Sequence, residues 1–152
     1  MKIVGIIPAR YGSTRLPGKP LKDICGKPMI WWVYNRVITV EKLDEVYVAT
    51  DDSRIEDVCK EYEIPVIMTK DTHLTGAHRV QEVSDTVQAD FYVQLNGDEP
   101  LIDKAAIAAV IPDEIPQDVE FGTNIITKIQ DPAQAMDSSN IKMVFDIVNS
   151  MK

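Results

Sequence analysis

Arg10, Arg15 and Lys19 fall within one short run, Pro8-Ala9-Arg10-Tyr11-Gly12-Ser13-Thr14-Arg15-Leu16-Pro17-Gly18-Lys19-Pro20-Leu21. Small residues there, Ala9, Gly12 and Ser13 among them, let the backbone approach a ligand closely, and prolines stiffen the run. Backbone N–H groups together with guanidinium and ammonium groups are what an anionic polyphosphate needs. No acid lies between Arg10 and Lys22 to balance the cations. The bland reading is a solvated basic loop. The run is neither of the two common phosphate loops. Pro20 follows Lys19 where G-x-x-x-x-G-K-[ST] needs Ser or Thr, and G-x-G-x-x-G is absent.

Such a loop needs a frame that ends strands at one place. Residues 2–8 form a continuous apolar run, as expected of a strand buried on both faces. Residues 45–50, 65–68 and 90–95, rich in Val, Ile, Phe and Tyr, read as further strands. Between them, residues 29–40 follow Pro28, which suits a first helical turn. Residues 53–62 start with Ser53 as N-cap and Glu56 three residues on, a capping box, with Ile55, Val58, Cys59 and Tyr62 on one face. Residues 75–87 align Val80, Val83 and Val87, and residues 104–111 align Ile107, Val110 and Ile111. Strand and helix alternate at βαβ spacing, so the fold class is α/β, a mainly parallel sheet with helices on both faces. Residues 120–129 read as a fifth strand and 141–148 as a sixth. No helix follows the sixth to cover it, so the expectation is a fold cut short at its C-terminal side.

Composition agrees with that class. The 152 residues are 45% hydrophobic and 26% charged, enough for one domain with its own core. The net charge is −8, yet residues 1–36 carry seven basic side chains against Asp23 alone, while the rest carry nine basic and 23 acidic. An acidic chain with one basic segment uses it locally on an anionic ligand; nucleic acid would be repelled by the remaining surface. No apolar run approaches the length of a membrane span, and the short apolar start lacks a signal-peptide pattern, so the expected location is the cytoplasm. Cys25 and Cys59 form no C-x-x-C and are read as inert, Cys59 as core.

The string R-x-x-S-T-R-L-P-G-K-P-L followed by G-K-P-M-I resembles the CMP-sugar synthetases, and among them the 3-deoxy-manno-octulosonate cytidylyltransferases. The likeness continues through Val48-Ala49-Thr50-Asp51-Asp52, Met68-Thr69, Gly97-Asp98-Glu99-Pro100-Leu101-Ile102 and Asn140-Ile141-Lys142-Met143-Val144-Phe145-Asp146. It implies a Rossmann-like three-layer sandwich of the nucleotide-diphospho-sugar transferase type. It further implies a nucleotidyltransferase that joins CTP to an acidic sugar with Mg²⁺ and releases pyrophosphate, in the making of lipopolysaccharide or capsule precursors. Family members run well past residue 152, and their later part supplies a second metal carboxylate, most sugar contacts and the dimer interface. Residues 1–152 are therefore expected to be the nucleotide-binding portion, and a homodimer would lack its usual interface. A related synthetase for another sugar acid, and a nucleotide-binding module without turnover, are the alternatives.

On that resemblance, Arg10, Arg15 and Lys19 hold the triphosphate and offset charge on the departing pyrophosphate. Ala9, Gly12 and Ser13 bring the backbone to the phosphates, and Asp98 holds Mg²⁺, which typically takes one or two carboxylates with phosphate oxygens and water. Arg10, Lys19 and Asp98 are the expected catalytic set. Asn96 stands where the family usually has Gln, an amide for the pyrimidine edge. The family's S-G-T-E-R is here Thr75-Gly76-Ala77-His78-Arg79, keeping Arg79 for the nucleotide. Elsewhere plainer roles compete. His73 and His78 read as a metal pair or as ordinary loop and helix-start residues, Glu99 as a structural group or a base, and Asp51-Asp52 as turn or ligand. Trp31 and Trp32 divide between the core and a covered surface.

Overall fold

A computed structural model describes residues 1–12, 16–116, 119–126 and 128–138. The apolar run at the start is β1 (Ile3–Ala9), the centre of a four-stranded parallel sheet with β4 (Glu45–Thr50), β5 (Val66–Met68) and β6 (Phe91–Gln94) in the order β5-β4-β1-β6. β1 aligns Val4 with Glu45 on one side and with Tyr92 on the other. Because its neighbours cover both edges and helices cover both faces, β1 must be apolar throughout. Its residues divide accordingly. Ile3, Ile7 and Ala9 join one buried cluster with Ile30, Val33 and Val37 of α1 (Met29–Val37), Ile55 and Cys59 of α2 (Ser53–Glu61) and Ile107 of α4 (Lys104–Val110). Val4 and Ile6 face the opposite way, onto Val83 of α3 (Gly76–Ser84). Helices thus form a layer on each side of the sheet, the three-layer α/β sandwich the strand–helix alternation predicts.

The chain builds outward from β1 to β4 and β5, then returns to place β6 on β1's other edge. The direction of construction reverses between β1 and β6. In open parallel sheets that reversal leaves a crevice beyond the strands' carboxyl ends. Gly97, just past β6, sits at its floor: a Cβ there would stand 2.9 Å from the Pro8 carbonyl oxygen, so only a residue without a side chain lets the two loops meet.

Local structure departs from the sequence reading at several places. α2 is capped by Asp52, whose side chain accepts from the Arg54 backbone N–H, so Ser53 is already inside the helix. An Asp carboxylate at the cap also meets the positive end of the helix dipole. α1 closes at Val37 and α3 at Ser84, earlier than their periodicity suggests. Pro28 precedes α1 as its cap and ends a small hairpin, β2 (Asp23–Ile24) with β3 (Lys27–Pro28). Cys25 (φ 52°) and Gly26 (φ 82°) form its turn, the left-handed pair a two-residue hairpin of type I′ takes. Among the described residues of 120–129, the expected fifth strand does not form. Residues 119–126 run irregularly beside β6, with no ladder to hold them, and Pro132–Met136 forms a short exposed helix, α5. The expected strand at 141–148 lies outside the described residues. No helix among the described residues is long and apolar enough to cross a membrane.

Candidate functional site

The crevice at the reversal point is a cavity of about 310 Å³. One side is the end of β1, with Pro8, Ala9 and Arg10; the far side is the end of β6, with Gln94, Asn96, Gly97 and Asp98. Lys19 and Pro20 enter from the 3-10 turn Lys19–Leu21, and the loop before α3 adds His73 to Gly76. Of the residues expected from sequence, Ala9, Arg10, Lys19, Arg79, Asn96 and Asp98 all line this one cavity. Gly12 does not, and a Cβ on it would meet no described residue within 4 Å. Ser13 and Arg15 lie outside the described residues.

Charge is distributed unevenly around the cavity. Lys19 Nζ donates to Asp98 Oδ2 at 2.7 Å, joining the basic loop to the acid end of β6 across the mouth. Both groups keep solvent access, so the pair can open to an incoming ion. Arg10 is exposed at the end of β1. Arg79, by contrast, is 3% exposed and already engaged. Its guanidinium donates to Asp51 Oδ2 at 2.6 Å, to Thr69 Oγ1 at 2.6 Å and to the Lys70 carbonyl at 3.3 Å. A buried guanidinium must be paired in this way, and the pairing gives Arg79 a role in the wall besides whatever contact it offers a ligand.

Asn96 Nδ2 donates to Glu99 Oε1 at 2.7 Å, which gives Glu99 a structural partner. Gln94, two residues earlier, lines the same cavity, and its amide nitrogen would lie 3.2 Å from a Cβ on Gly76. Sequence reading missed it because Gln94 falls inside a strand, where only the alternation of faces marks it. His73 Nε2 pairs with Glu82 Oε2 at 2.5 Å, and its ring centroid lies 6.2 Å from that of His78. The Lys70 backbone N–H, then His73, hold the Glu82 carboxyl below its ordinary range. His73 serves the loop through its bond to Glu82; among the described residues no group of three or more His, Cys, Asp or Glu is placed to hold a metal ion. Thr75 caps α3 by accepting from the His78 N–H, fixing the bend that brings Gly76 to the cavity.

The Cytidylyltransferase family model matches residues 4–151. Over 146 residues the chain is 44% identical to 3-deoxy-manno-octulosonate cytidylyltransferase of Solibacter usitatus, covering 95% of this chain and 58% of that one. It is 40% identical over 151 residues to 8-amino-3,8-dideoxy-manno-octulosonate cytidylyltransferase of Shewanella frigidimarina, covering 96% of this chain and 61% of the relative. The chain therefore spans little more than half the length of these curated relatives. The solved structure of CMP:2-keto-3-deoxy-manno-octonic acid synthetase complexed with CTP superposes with a TM-score of 0.71 at 49% identity, over 72% of this chain and 46% of that chain. With a family model running almost end to end and a fold superposing on a solved relative, the chain belongs to the cytidylyltransferase family.

Proposed function

We propose that the cavity binds CTP and that the protein to which these residues belong transfers its cytidylyl group to 3-deoxy-manno-octulosonate, releasing pyrophosphate. The observation that carries this reading is the convergence of Arg10, Lys19, Asn96 and Asp98 at the β1/β6 crevice. Arg10 and Lys19 bind the triphosphate oxygens and, as the α–β phosphoanhydride bond breaks, stabilise negative charge gathering on the leaving pyrophosphate. The Ala9 end of β1 brings backbone up to the phosphates, as Ser13 and Arg15 would from the loop. Asn96 and Gln94 offer amides to the pyrimidine edge, the longer Gln94 reaching where the shorter Asn96 does not. Arg79 closes the wall behind the nucleotide.

A half-exposed carboxylate beside a phosphate-binding lysine suits Mg²⁺, a hard cation that takes oxygen ligands. Asp98 would be its protein ligand, with phosphate oxygens and water supplying the rest. Bound there, the metal would supply Lewis-acid polarisation of the α-phosphate. Lys19 would then exchange its contact with Asp98 for one with phosphate. The setting follows from the substrate: an activated acidic sugar for lipopolysaccharide, made in the cytoplasm. A second reading of the sugar, the 8-amino-3,8-dideoxy form, is favoured by a relative that matches 96% of this chain.

Calorimetric titration with CTP and Mg²⁺, alongside pyrophosphate release with each sugar, tests the reading. Lys19→Ala should weaken CTP binding by about 10- to 100-fold, the loss of one charge-assisted hydrogen bond. Affinity unchanged in both Lys19→Ala and Arg10→Ala would refute the site.

A further inference from the structure

Asp51 and Asp52 follow β4 directly, next to the cavity, yet neither carboxylate lines it. Each instead holds one arginine. Asp51 Oδ2 accepts from Arg79, which in turn grips the Thr69 hydroxyl and the Lys70 carbonyl at the start of the loop leading to α3. Asp52 takes Arg54 with both oxygens, Nε to Oδ1 at 2.8 Å and a terminal nitrogen to Oδ2 at 2.6 Å. A two-point grip fixes the plane of a guanidinium as one contact cannot. That plane stacks on the Tyr11 ring, its central carbon 3.3 Å from the ring centroid. On the phosphate loop, Gly18 packs so closely on Tyr11 that a Cβ would lie 2.9 Å from the ring, and its own φ of 65° suits glycine. The Gly18 N–H donates to the Tyr11 carbonyl at 2.9 Å, closing the loop just before Lys19.

We infer that Asp51 and Asp52 are a pair of positioning residues that fix the two walls of the cavity separately: Asp51 sets the wall before α3 through Arg79, and Asp52 sets the phosphate loop through Arg54 and Tyr11. The inference deepens the nucleotide-site reading of the same cavity and rests on it for its functional consequence. It accounts for two adjacent acids where one would cap α2. Arg54 and its hydrogen bond hold the Asp52 carboxyl below the usual carboxylate range, so the grip extends into acid conditions where an ordinary aspartate would begin to protonate.

Amide exchange followed by NMR on the 152-residue chain, without nucleotide, separates the two walls. Arg54→Met, which leaves the α2 cap in place, should speed exchange of the Gly18 amide by about fivefold, the scale of an exposed cation–π contact, and leave Thr69 and Lys70 unchanged. Asp51→Asn should do the reverse. Arg54→Lys, which keeps a cation over the ring, should restore most of the Gly18 protection and of the CTP affinity lost in Arg54→Met. An unmoved Gly18 in Arg54→Met, or both walls loosening together in both variants, would overturn the assignment. Crossed loosening with CTP affinity intact would overturn its link to the nucleotide. Crossed loosening in a chain that binds no CTP even as wild type would leave the two walls standing and remove the nucleotide reading.

Discussion

Large apolar side chains occur among the described residues of both 3–111 and 119–138, but only the first stretch builds a buried core. Ile6, Ile7, Ile30, Ile55 and Ile107 are essentially inaccessible, whereas Val119 is 62% exposed, Ile125 and Ile126 are 50% exposed and Met136 is 86% exposed. β-branched composition alone does not separate them. The difference is a partner. β1 has β4 and β6 at its edges, whereas residues 119–126 run beside the outer edge of β6 in an apolar groove with Phe91, Val93, Leu95 and Ile107, without forming a ladder. Strand propensity becomes strand only where backbone groups and one face are both satisfied.

The largest contrast should appear in paired truncations. Ile7→Ala removes three buried carbons at the centre of the sheet and should cost about 2–5 kcal/mol in urea unfolding. Ile126→Ala should change stability by no more than about 0.5 kcal/mol. Similar losses in the two variants would show that residues 119–126 are packed as firmly as β1. Gly97→Ala should fall between, at about 1–3 kcal/mol, because its Cβ meets a backbone carbonyl on β1 and not a movable side-chain tip. If the cavity takes CTP as proposed, Gly97→Ala should also weaken that binding, since relief requires β1 and β6 to part at the cavity floor. Stability lost without any change in affinity would uncouple that floor from the site.

A smaller effect belongs to the contact that bridges the two regions. Phe121 lies with its ring centroid 5.9 Å from that of Phe91, the first residue of β6. Phe121→Ala should cost about 1 kcal/mol, the scale of one aromatic pair beyond its area burial. A loss approaching that of Ile7→Ala would make residues 119–126 part of the core.

The sequence disclosed the frame because parallel strands buried on both faces read as unbroken apolar runs, and β1, β4, β5 and β6 fall within two residues of expectation. Most of the cavity's polar lining was legible as well, Arg10 and Lys19 from the basic loop itself and Asn96 and Asp98 through the family resemblance. Gln94 and the Tyr11–Arg54 stack were not legible, because they depend on which face of a strand meets a loop distant in sequence. The hairpin turn at Cys25 was missed because Cys does not announce a left-handed conformation. The strand expected at 120–129 failed for the opposite reason: its composition was right, but pairing is a property of neighbours.

The smallest effect tests how dry the covered region is. Cys59 is fully inaccessible in the core against β1, and burial, with a lesser push from Glu56, raises its thiol to about 12 from 9.0. The folded state therefore keeps its proton through a range where the unfolded chain releases it. Stability from Cys59 is full below pH 9 and is lost progressively as the pH rises from there toward 12. At pH 9 the loss is only about 0.4 kcal/mol, one factor of two in the unfolded population. Subtracting the same pH series for Cys59→Ala isolates it, since every other titrating group is common to both chains. Alkylation of the native protein at pH 8 should label exposed Cys25 and spare Cys59 until urea unfolds the sheet. Equal labelling of the two thiols in native buffer would mean that the core beneath α2 opens as readily as the uncovered segment beside β6.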